Sequence, residues 1–210
     1  MVFNVKKEYK EFYPTKAEPR IVQVPKLNFL AVRGQGDPNE VGGEYQESIR
    51  LLYPIAYTIK MSKNTDYRME GYFDFVVPPL EALWWQEGVK GVDYERKMDF
   101  RFISLIRMPD FVSKENFDWA IAQASQKKKM DFAKVEWFTY DEGLCVQSLH
   151  IGPYEDEPAT VQRMHEYMNR EGYQLDIRSE RMHHEIYISD FRKTEPARLK
   201  TILRHPIKKK

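Results

Sequence analysis

The chain has 210 residues, and its 42% of hydrophobic and 31% of charged residues are typical of a folded globular protein rather than a disordered one. The formal net charge of +1 excludes a whole-molecule field that would attract nucleic acid or an anionic membrane. The one cysteine, Cys145, excludes an internal disulfide, and no apolar stretch reaches the roughly 18 residues of a membrane-spanning helix. We therefore expect a cytoplasmic protein that has no membrane segment.

The first half of the chain is predicted to hold an arm, a strand, a helix and two more strands. Residues 1–26 are charged and contain three prolines, so we expect an ordered arm at most. A buried-type strand over 27–34 ends at the turn signals of GQGDPN, and an amphipathic helix follows from Asn39. Further strands are predicted over 71–77 and 100–108.

The second half repeats this order of elements. A helix is predicted over 114–130, strands within 135–152, a second helix around 161–168 and a strand over 181–190. A short basic helix at about 195–204 is expected to end the chain.

Two segments of the sequence are alike, which indicates a weak internal duplication. NFLAVRGQGDPN and CVQSLHIGPYEDEP each combine a strand, a Gly/Pro turn and a following helix. We therefore predict a single domain over 27–210, built from two βαββ units at about 27–112 and 114–190. The expected fold class is α+β, with an antiparallel-rich sheet that carries helices on one face and a ligand groove on the other.

The strand RMHHEIYISD separates its side chains into two sets. His183, Glu185 and Tyr187 point to one face, and His184 and Ile186 point to the other. Because the isoleucine should face the helices, we expect Glu185 and Tyr187 to face the open groove. Glutamate is uncommon in strands, and a carboxylate inside an apolar run needs a partner or a function. The alternative is a solvent-facing glutamate on an edge strand.

A carboxylate within an aromatic cavity has two possible functions, and 14% of this chain is aromatic. It can bind a flat cation, with cation–π attraction from the surrounding rings. It can also act as a general base on a water molecule. The residues alone do not decide between these functions.

Several kinds of site are disfavoured by the motifs. His183 and His184 are neighbours on a strand and point to opposite faces, so they cannot both bind one metal ion. No GxGxxG, P-loop or GxSxG pattern is present, and Cys145 lies in an apolar run without an obvious base. We expect neither a metal ion nor a cofactor.

Six segments in the same order resemble the family of GyrI-like small-molecule-binding domains. They are FLAVRGQGDPN, AYTIK, DFVVPPLEALWW, IRMPDFV, VQSLHIGPYEDEP and HHEIYISDFRK, and they extend over nearly the whole chain from about residue 27. The resemblance implies two βαββ units related by a pseudo-twofold axis, with a ligand groove between them.

The resemblance also implies the residues of the ligand site. Glu185 matches a buried glutamate that meets cationic or polar aromatic ligands in the drug-sensing relatives. Trp84 and Trp85, in PPLEALWWQEG, follow a strand of the first unit, so at least one should cover the groove. His183 shares the face of Glu185 and is expected to contact the ligand.

The expected partner is a hydrophobic aromatic small molecule. Some relatives carry the domain as the sensor part of a transcription regulator, but only about 26 residues precede the first strand here. A helix-turn-helix needs more, so we expect no DNA-binding domain.

PLEALWW and HHEIYISD look most like a stand-alone branch of the family that hydrolyses cyclopropanoid genotoxins. That resemblance implies that Glu185 activates a water, while a donor stabilises the phenolate that forms. Tyr187 is the preferred donor because it shares the face of Glu185, and Tyr154 and Tyr72 are the other candidates. The rival functions are a protein that only binds flat, often cationic drugs, and a gyrase-inhibitor-like protein that binds a partner protein.

Overall fold

The computed structural model describes residues 2–89, 93 and 95–210. Across these residues the chain forms four α-helices and seven strands. In chain order they are α1 (Val5–Glu8), β1 (Arg20–Gln35), α2 (Glu44–Lys60), β2 (Leu80–Trp85), β3 (Arg101–Arg107), α3 (Lys114–Lys128), β4 (Glu136–Ile151), α4 (Glu157–Arg170), β5 (Tyr173–Leu175), β6 (His183–Tyr187) and β7 (Lys200–Lys209).

The strands form one antiparallel sheet in the order β4-β1-β3-β2-β6-β7-β5. An additional pairing of β4 with β7 closes six of the strands into a ring. The two halves have the same connectivity, because β1-α2-β2-β3 corresponds to β4-α4-β6-β7 in both chain order and neighbour order. The α+β class and the antiparallel sheet are therefore confirmed.

The prediction of a basic helix at 195–204 is wrong. Residues Pro196–Arg198 form a single 3-10 turn, and Lys200–Lys209 form the long strand β7. The strand is more stable than a helix here because it pairs with β4 on one side and β6 on the other, and its residues 201–207 are all buried. The second βαββ unit therefore continues to residue 209, well beyond the predicted end at 190.

The predicted boundary between arm and domain is also wrong. Strand β1 begins at Arg20, so the last part of the predicted arm belongs to the sheet. Upstream of it, Val5, Phe12 and Tyr13 are buried in one cluster with Ile186 and other sheet residues. The N-terminal segment covers one face of the sheet because that face is apolar at this point.

Two further elements differ from the prediction. The strand expected over 71–77 is reduced to a single β-bridge between Phe3 and Phe75. Helix α3, which was assigned to the second unit, packs through Phe117 and Ala120 in the cluster that contains Leu52 of α2. It therefore adds to the core of the first unit.

Helices α2 and α4 lie on the same face of the sheet, which we call the outer face. On α2, Leu52 and Ile55 are buried against sheet residues such as Ala82. On α4, Met164 is buried against Val146 and Leu203. The opposite, inner face is enclosed by the ring of strands and the N-terminal segment.

No helix of the described part of the chain combines the length and the apolar character that a membrane crossing requires.

Candidate functional site

A pocket of about 390 Å³ opens on the outer face, between the beginnings of α2 and α4. This volume falls in the range of small-molecule sites. Six aromatic side chains contribute to its lining: Tyr45, Trp84, Phe100, Tyr154, Tyr187 and Phe191. Such walls suit a planar ligand, since aromatic rings stack well on flat surfaces.

The groove was expected on the face opposite the helices, and this detail is wrong. Alternation along β6 did separate Glu185 from Ile186 as predicted, but Ile186 packs under the N-terminal segment rather than under a helix. Glu185 and Tyr187 consequently point to the helical side and line the pocket. The N-terminal segment packs on one face of β6, and the helices lie on the other. An alternating sequence pattern separates the two faces but does not show which one the helices cover.

Glu185 lies at the base of the pocket and is held at both carboxylate oxygens. The Tyr187 hydroxyl donates to Oε2 at 2.8 Å, and His183 Nε2 lies 2.9 Å from Oε1. Trp84 Nε1 donates to the Tyr187 hydroxyl at 3.0 Å. The register of β2 against β6 places Ala82 opposite Glu185, and its small side chain leaves room for the carboxylate.

The three tyrosines of the pocket keep their protons at neutral pH. Burial raises the pKa of Tyr187 well above its ordinary value, and the nearby Glu185 carboxylate raises it further. Burial likewise raises the pKa of Tyr45 and of Tyr154, again with a contribution from Glu185. All three hydroxyls are therefore available as hydrogen-bond donors.

Behind Glu185 lies a row of three histidines, of which sequence reasoning had assigned only His183 to the site. His183 Nδ1 is 2.6 Å from His205 Nε2, and His205 Nδ1 is 3.0 Å from His165 Nε2. Burial lowers the pKa of His205 well below its usual value, with additional effects of the two neighbouring rings. Burial and His183 lower the pKa of His165 as well. Both rings are therefore neutral at pH 7.

Three potential metal ligands meet at the same place, because ligand atoms of Glu157, His183 and Glu185 all lie within 4.8 Å of one another. However, both nitrogens of the His183 ring already have partners, Glu185 and His205. A cation could bind His183 only by breaking one of these hydrogen bonds. The arrangement is better suited to hydrogen bonding than to metal coordination.

The charged residues of the lining are mainly acidic. Among the residues that the structure describes, Glu95, Glu155, Glu157 and Glu185 contribute carboxylates and Lys97 contributes a cation. Such a lining favours a ligand that is neutral or carries positive charge over an anionic one.

Of the two adjacent tryptophans, only Trp84 faces the pocket. Successive side chains of β2 alternate, so Trp84 is buried on the outer face while Trp85 lies on the inner face against a cluster that includes Leu83 and Met182. In the pocket the Trp84 ring contacts Tyr45, with ring centroids 5.1 Å apart. Trp84 therefore forms part of the floor beside Glu185, and Trp85 is a core residue.

Of the other predicted ligand residues, one lines the pocket, one lies behind Glu185 and one lies elsewhere. Tyr154 lines the pocket and packs edge-on against Tyr187, with ring centroids 6.1 Å apart. His183 lies behind Glu185 and reaches the pocket only through that carboxylate. Tyr72 lies elsewhere, since its hydroxyl donates to the Lys60 carbonyl at 2.6 Å and its ring packs on Phe111.

Tyr45 is a wall residue that the sequence prediction omitted, although a signal was present. It lies one turn before Ile49, which packs against the same core cluster, so following the apolar stripe of the predicted helix back from Ile49 would have found it. Phe100 and Phe191 lie outside regular strands and helices. Their approach to the pocket depends on tertiary structure that no local pattern reports.

The solved structures that are very similar to this chain include the following two. A hydrolase from Listeria innocua is 44% identical, with a TM-score of 0.88, over 98% of this chain and 100% of that one. A hydrolase encoded by lin2189 from Listeria innocua is 45% identical, with a TM-score of 0.91, over 99% of this chain and 100% of that one. The EcmrR C-terminal domain is 15% identical with a TM-score of 0.55, over 92% and 99% of the two chains, and this likeness shows the fold alone.

The comparison with curated proteins found no significant match. The family model of the GyrI-like small molecule binding domain matches residues 17–208. That span includes both βαββ units except for the last residue of β7, and it includes every lining residue named above. The chain therefore belongs to the family of GyrI-like small-molecule-binding domains.

Proposed function

We propose that this protein is a hydrolase that opens the cyclopropane of flat, electrophilic, DNA-alkylating small molecules and so detoxifies them. One observation carries the proposal: a carboxylate, Glu185, lies at the base of an aromatic pocket and is oriented there by His183 and Tyr187. The two similar Listeria innocua proteins, both hydrolases, support a hydrolytic reaction in this branch of the family. No cofactor takes part in the reaction as we propose it.

The proposed reaction adds one water molecule to the substrate. Glu185 accepts a proton from the water, whose oxygen forms a bond to a cyclopropane carbon. The strained C–C bond breaks, and its electron pair moves into the conjugated dienone to give an aromatic phenolate. The phenolate then takes up one proton from a donor of the pocket. The donor regains a proton from solvent and Glu185 releases the one it accepted, so the product is the substrate plus one water and the protein is unchanged. General base assistance of this kind accelerates a reaction by about 10²–10⁴-fold.

We assign the proton donor to Tyr154 in preference to Tyr187. The Tyr187 hydroxyl already donates to Glu185, which makes it a positioning group for the base. No residue of the described chain takes a hydrogen bond from the Tyr154 hydroxyl, and the side chain lines the pocket. Its raised pKa keeps the proton in place until an oxyanion develops nearby.

A second function is favoured by the charge of the pocket. Four carboxylates and one lysine line it, which suits a flat cation that is bound and not altered. In that case Glu185 would supply charge complementarity instead of base catalysis. A third function, binding of a partner protein as in the gyrase inhibitor, would depend on surface residues and not on Glu185.

The experiment incubates the purified protein with a duocarmycin-type compound and follows the products by mass spectrometry over many turnovers. Wild type is compared with Glu185→Gln and with Glu155→Gln, a matched change of an exposed carboxylate at the rim of the same pocket. We expect a product one water heavier, formed catalytically by wild type and by Glu155→Gln, and lost in Glu185→Gln.

The same samples separate the rival functions. Quenching of tryptophan fluorescence by a compound that stays intact would contradict hydrolysis and support simple binding. If Glu185→Gln also weakened that binding for cationic compounds only, the carboxylate would be a charge partner. If Glu185→Gln still hydrolyses the compound at the wild-type rate, Glu185 is not the catalytic base.

A further inference from the structure

A continuous line of hydrogen bonds leads from the base of the pocket to a partly exposed histidine of α4. It begins at Glu185 on β6, passes through His183 on the same strand and His205 on β7, and ends at His165 on α4. The contacts between successive groups are 2.9, 2.6 and 3.0 Å. His183 and His205 are buried, whereas His165 is partly exposed.

Each of the three rings has the same orientation along this line. Nε2 of every imidazole points toward Glu185, and Nδ1 points toward the next ring away from it. At His165 the Nε2 atom contacts His205, so Nδ1 is the other nitrogen of a side chain that is partly exposed. A neutral ring with its proton on Nε2 donates forward and accepts from behind, so all three contacts can be satisfied at once.

From this geometry we propose that His165, His205 and His183 form a proton relay that connects Glu185 with solvent by a route behind the pocket. The inference rests on the proposed function, because it assigns a route by which the catalytic base returns its proton to solvent. It makes His183, His205 and His165 positioning and proton-carrying residues, and none of them needs to touch the substrate.

The transfers balance in both directions. A solvent proton binds His165 Nδ1, the Nε2 proton of His165 moves to His205 Nδ1, and the Nε2 proton of His205 moves to His183 Nδ1. The Nε2 proton of His183 then moves to Glu185 Oε1. The result is a neutral Glu185 and three rings protonated on Nδ1, and the reverse sequence returns the proton to solvent and restores the carboxylate.

The relay matters because a flat ligand that fills the pocket covers the direct path from solvent to Glu185. The side chain of Glu185 is only 14% exposed. While product still occupies the pocket, the rear route lets the carboxyl group equilibrate with bulk solvent between turnovers. The low pKa of His205 and His165 keeps these rings neutral, as a relay of this kind requires.

Several groups face Glu185 from the elements packed around it. Its own strand supplies His183 and Tyr187, and the neighbouring elements supply Trp84 from β2, Tyr45 from α2, Tyr154 from the turn before α4 and Glu157 from α4. Tyr187 joins Glu185 to Tyr45, which lines the same pocket, whereas His183 joins it to His205 behind the pocket. The rear route therefore passes through His183.

The first test needs no substrate. Nitrogen NMR of ¹⁵N-histidine-labelled protein reports the tautomer of each ring as the pH is lowered. We expect all three rings to change from Nε2–H to Nδ1–H with one common midpoint, and this concerted change to be lost in Glu185→Gln. Rings that titrate with separate midpoints, or that become imidazolium cations one at a time, would overturn the relay.

The second test measures turnover of the duocarmycin-type compound by His165 variants. His165→Gln keeps an N–H that can donate to His205 but cannot pass a proton onward, while His165→Ala removes the group. We expect both to lower kcat by about tenfold at unchanged KM, and added free imidazole to restore His165→Ala. Gln162→Ala, an exposed change on the same helix, is the control.

The outcomes separate this inference from the proposed function. If His165→Gln turns over like wild type, His165 is only a hydrogen-bond donor and the relay is wrong. If both variants turn over like wild type, the relay is equally wrong. If wild type itself hydrolyses nothing, the proposed function fails, and the NMR titration alone then decides whether the relay exists.

Discussion

At the scale of single residues, the site is organised around the two oxygens of one carboxylate. Tyr187 and His183 each satisfy one oxygen of Glu185, and Trp84 in turn fixes the Tyr187 hydroxyl. Hydrogen bonds to a charged acceptor contribute about 1.5–3 kcal/mol each. The orientation of the base is therefore a property of its neighbours, and their removal should affect the reaction more than ligand binding.

The variant Tyr187→Phe tests this orientation. It removes the donor to Glu185 and the acceptor of Trp84 while keeping the ring that lines the pocket. We expect kcat to fall by roughly tenfold or more, with KM changed by less than about threefold. Steady-state kinetics against Tyr57→Phe, an exposed tyrosine outside this pocket, gives the comparison. An unchanged kcat with a raised KM would show that Tyr187 only binds.

The sequence can predict those features of the site that depend on residues close together in the chain. It cannot predict those that depend on contacts between distant segments. Alternation along one strand places His183, Glu185 and Tyr187 together, and it is a local property. The choice between Trp84 and Trp85 requires the identity of the face that covers β2, which local patterns do not contain. His205 joins the site only because β7 pairs beside β6, across 22 residues of chain.

At the scale of elements, the N-terminal segment is an integral part of the domain. The carbonyl of Phe12 accepts from Arg204 at 3.0 Å, and the carbonyls of Glu11 and Ala17 accept from Gln147 and Ser148 on β4. These bonds tie the segment to strands β4 and β7 of the sheet. Charge and proline content predict an arm, but a few buried side chains decide that the segment folds onto the sheet.

The variant Phe12→Ala tests the contribution of this segment. Phe12 is 6% exposed and packs in the cluster that covers Ile186 and Ile202. Truncation of a buried phenylalanine costs about 3–5 kcal/mol, and we expect a loss of the free energy of unfolding in this range. Urea denaturation measures it, with Val41→Ala, a change of a fully exposed residue, as the control.

Ligand affinity provides a second measurement on Phe12→Ala. Because the segment covers the inner face and the pocket opens on the outer face, Phe12→Ala should leave ligand affinity unchanged under folding conditions. A loss of stability below about 1 kcal/mol would show that the segment is loosely attached. A large change in the ligand affinity of the folded Phe12→Ala variant would show that the inner and outer faces of the sheet are coupled through β6.

At the scale of the whole molecule, a buried charged network lies at the centre of the ring of strands. Glu142 binds Arg204 at 2.8 Å and His184 at 2.9 Å, and His184 also lies 3.0 Å from Glu81. These residues come from four strands that are far apart in sequence. No sequence motif predicts this network, because each of its four residues looks like an isolated polar residue in an otherwise apolar strand.

The pH dependence of stability should follow from this network. The pKa of Glu142 is lowered from its usual 4.5 to about 2; its burial opposes this, and the Arg204 and His184 charges outweigh it. Its contribution is therefore complete above pH 4.5 and is lost as the pH falls toward 2. The pKa of His184 is raised from its usual 6.5 to about 9, since the Glu142 and Glu81 carboxylates outweigh its burial.

The contribution of His184 has the opposite sign in pH. It is complete below pH 6.5 and is lost as the pH rises through 9, so the two groups together predict maximal stability between about pH 4.5 and 6.5. We expect the free energy of unfolding to decrease by about 2–4 kcal/mol between pH 6.5 and 9. Urea denaturation over this range, with wild type against His184→Gln, isolates the alkaline decrease. A His184→Gln curve that keeps the alkaline decrease in full would assign it to other groups and leave His184 neutral in the folded protein.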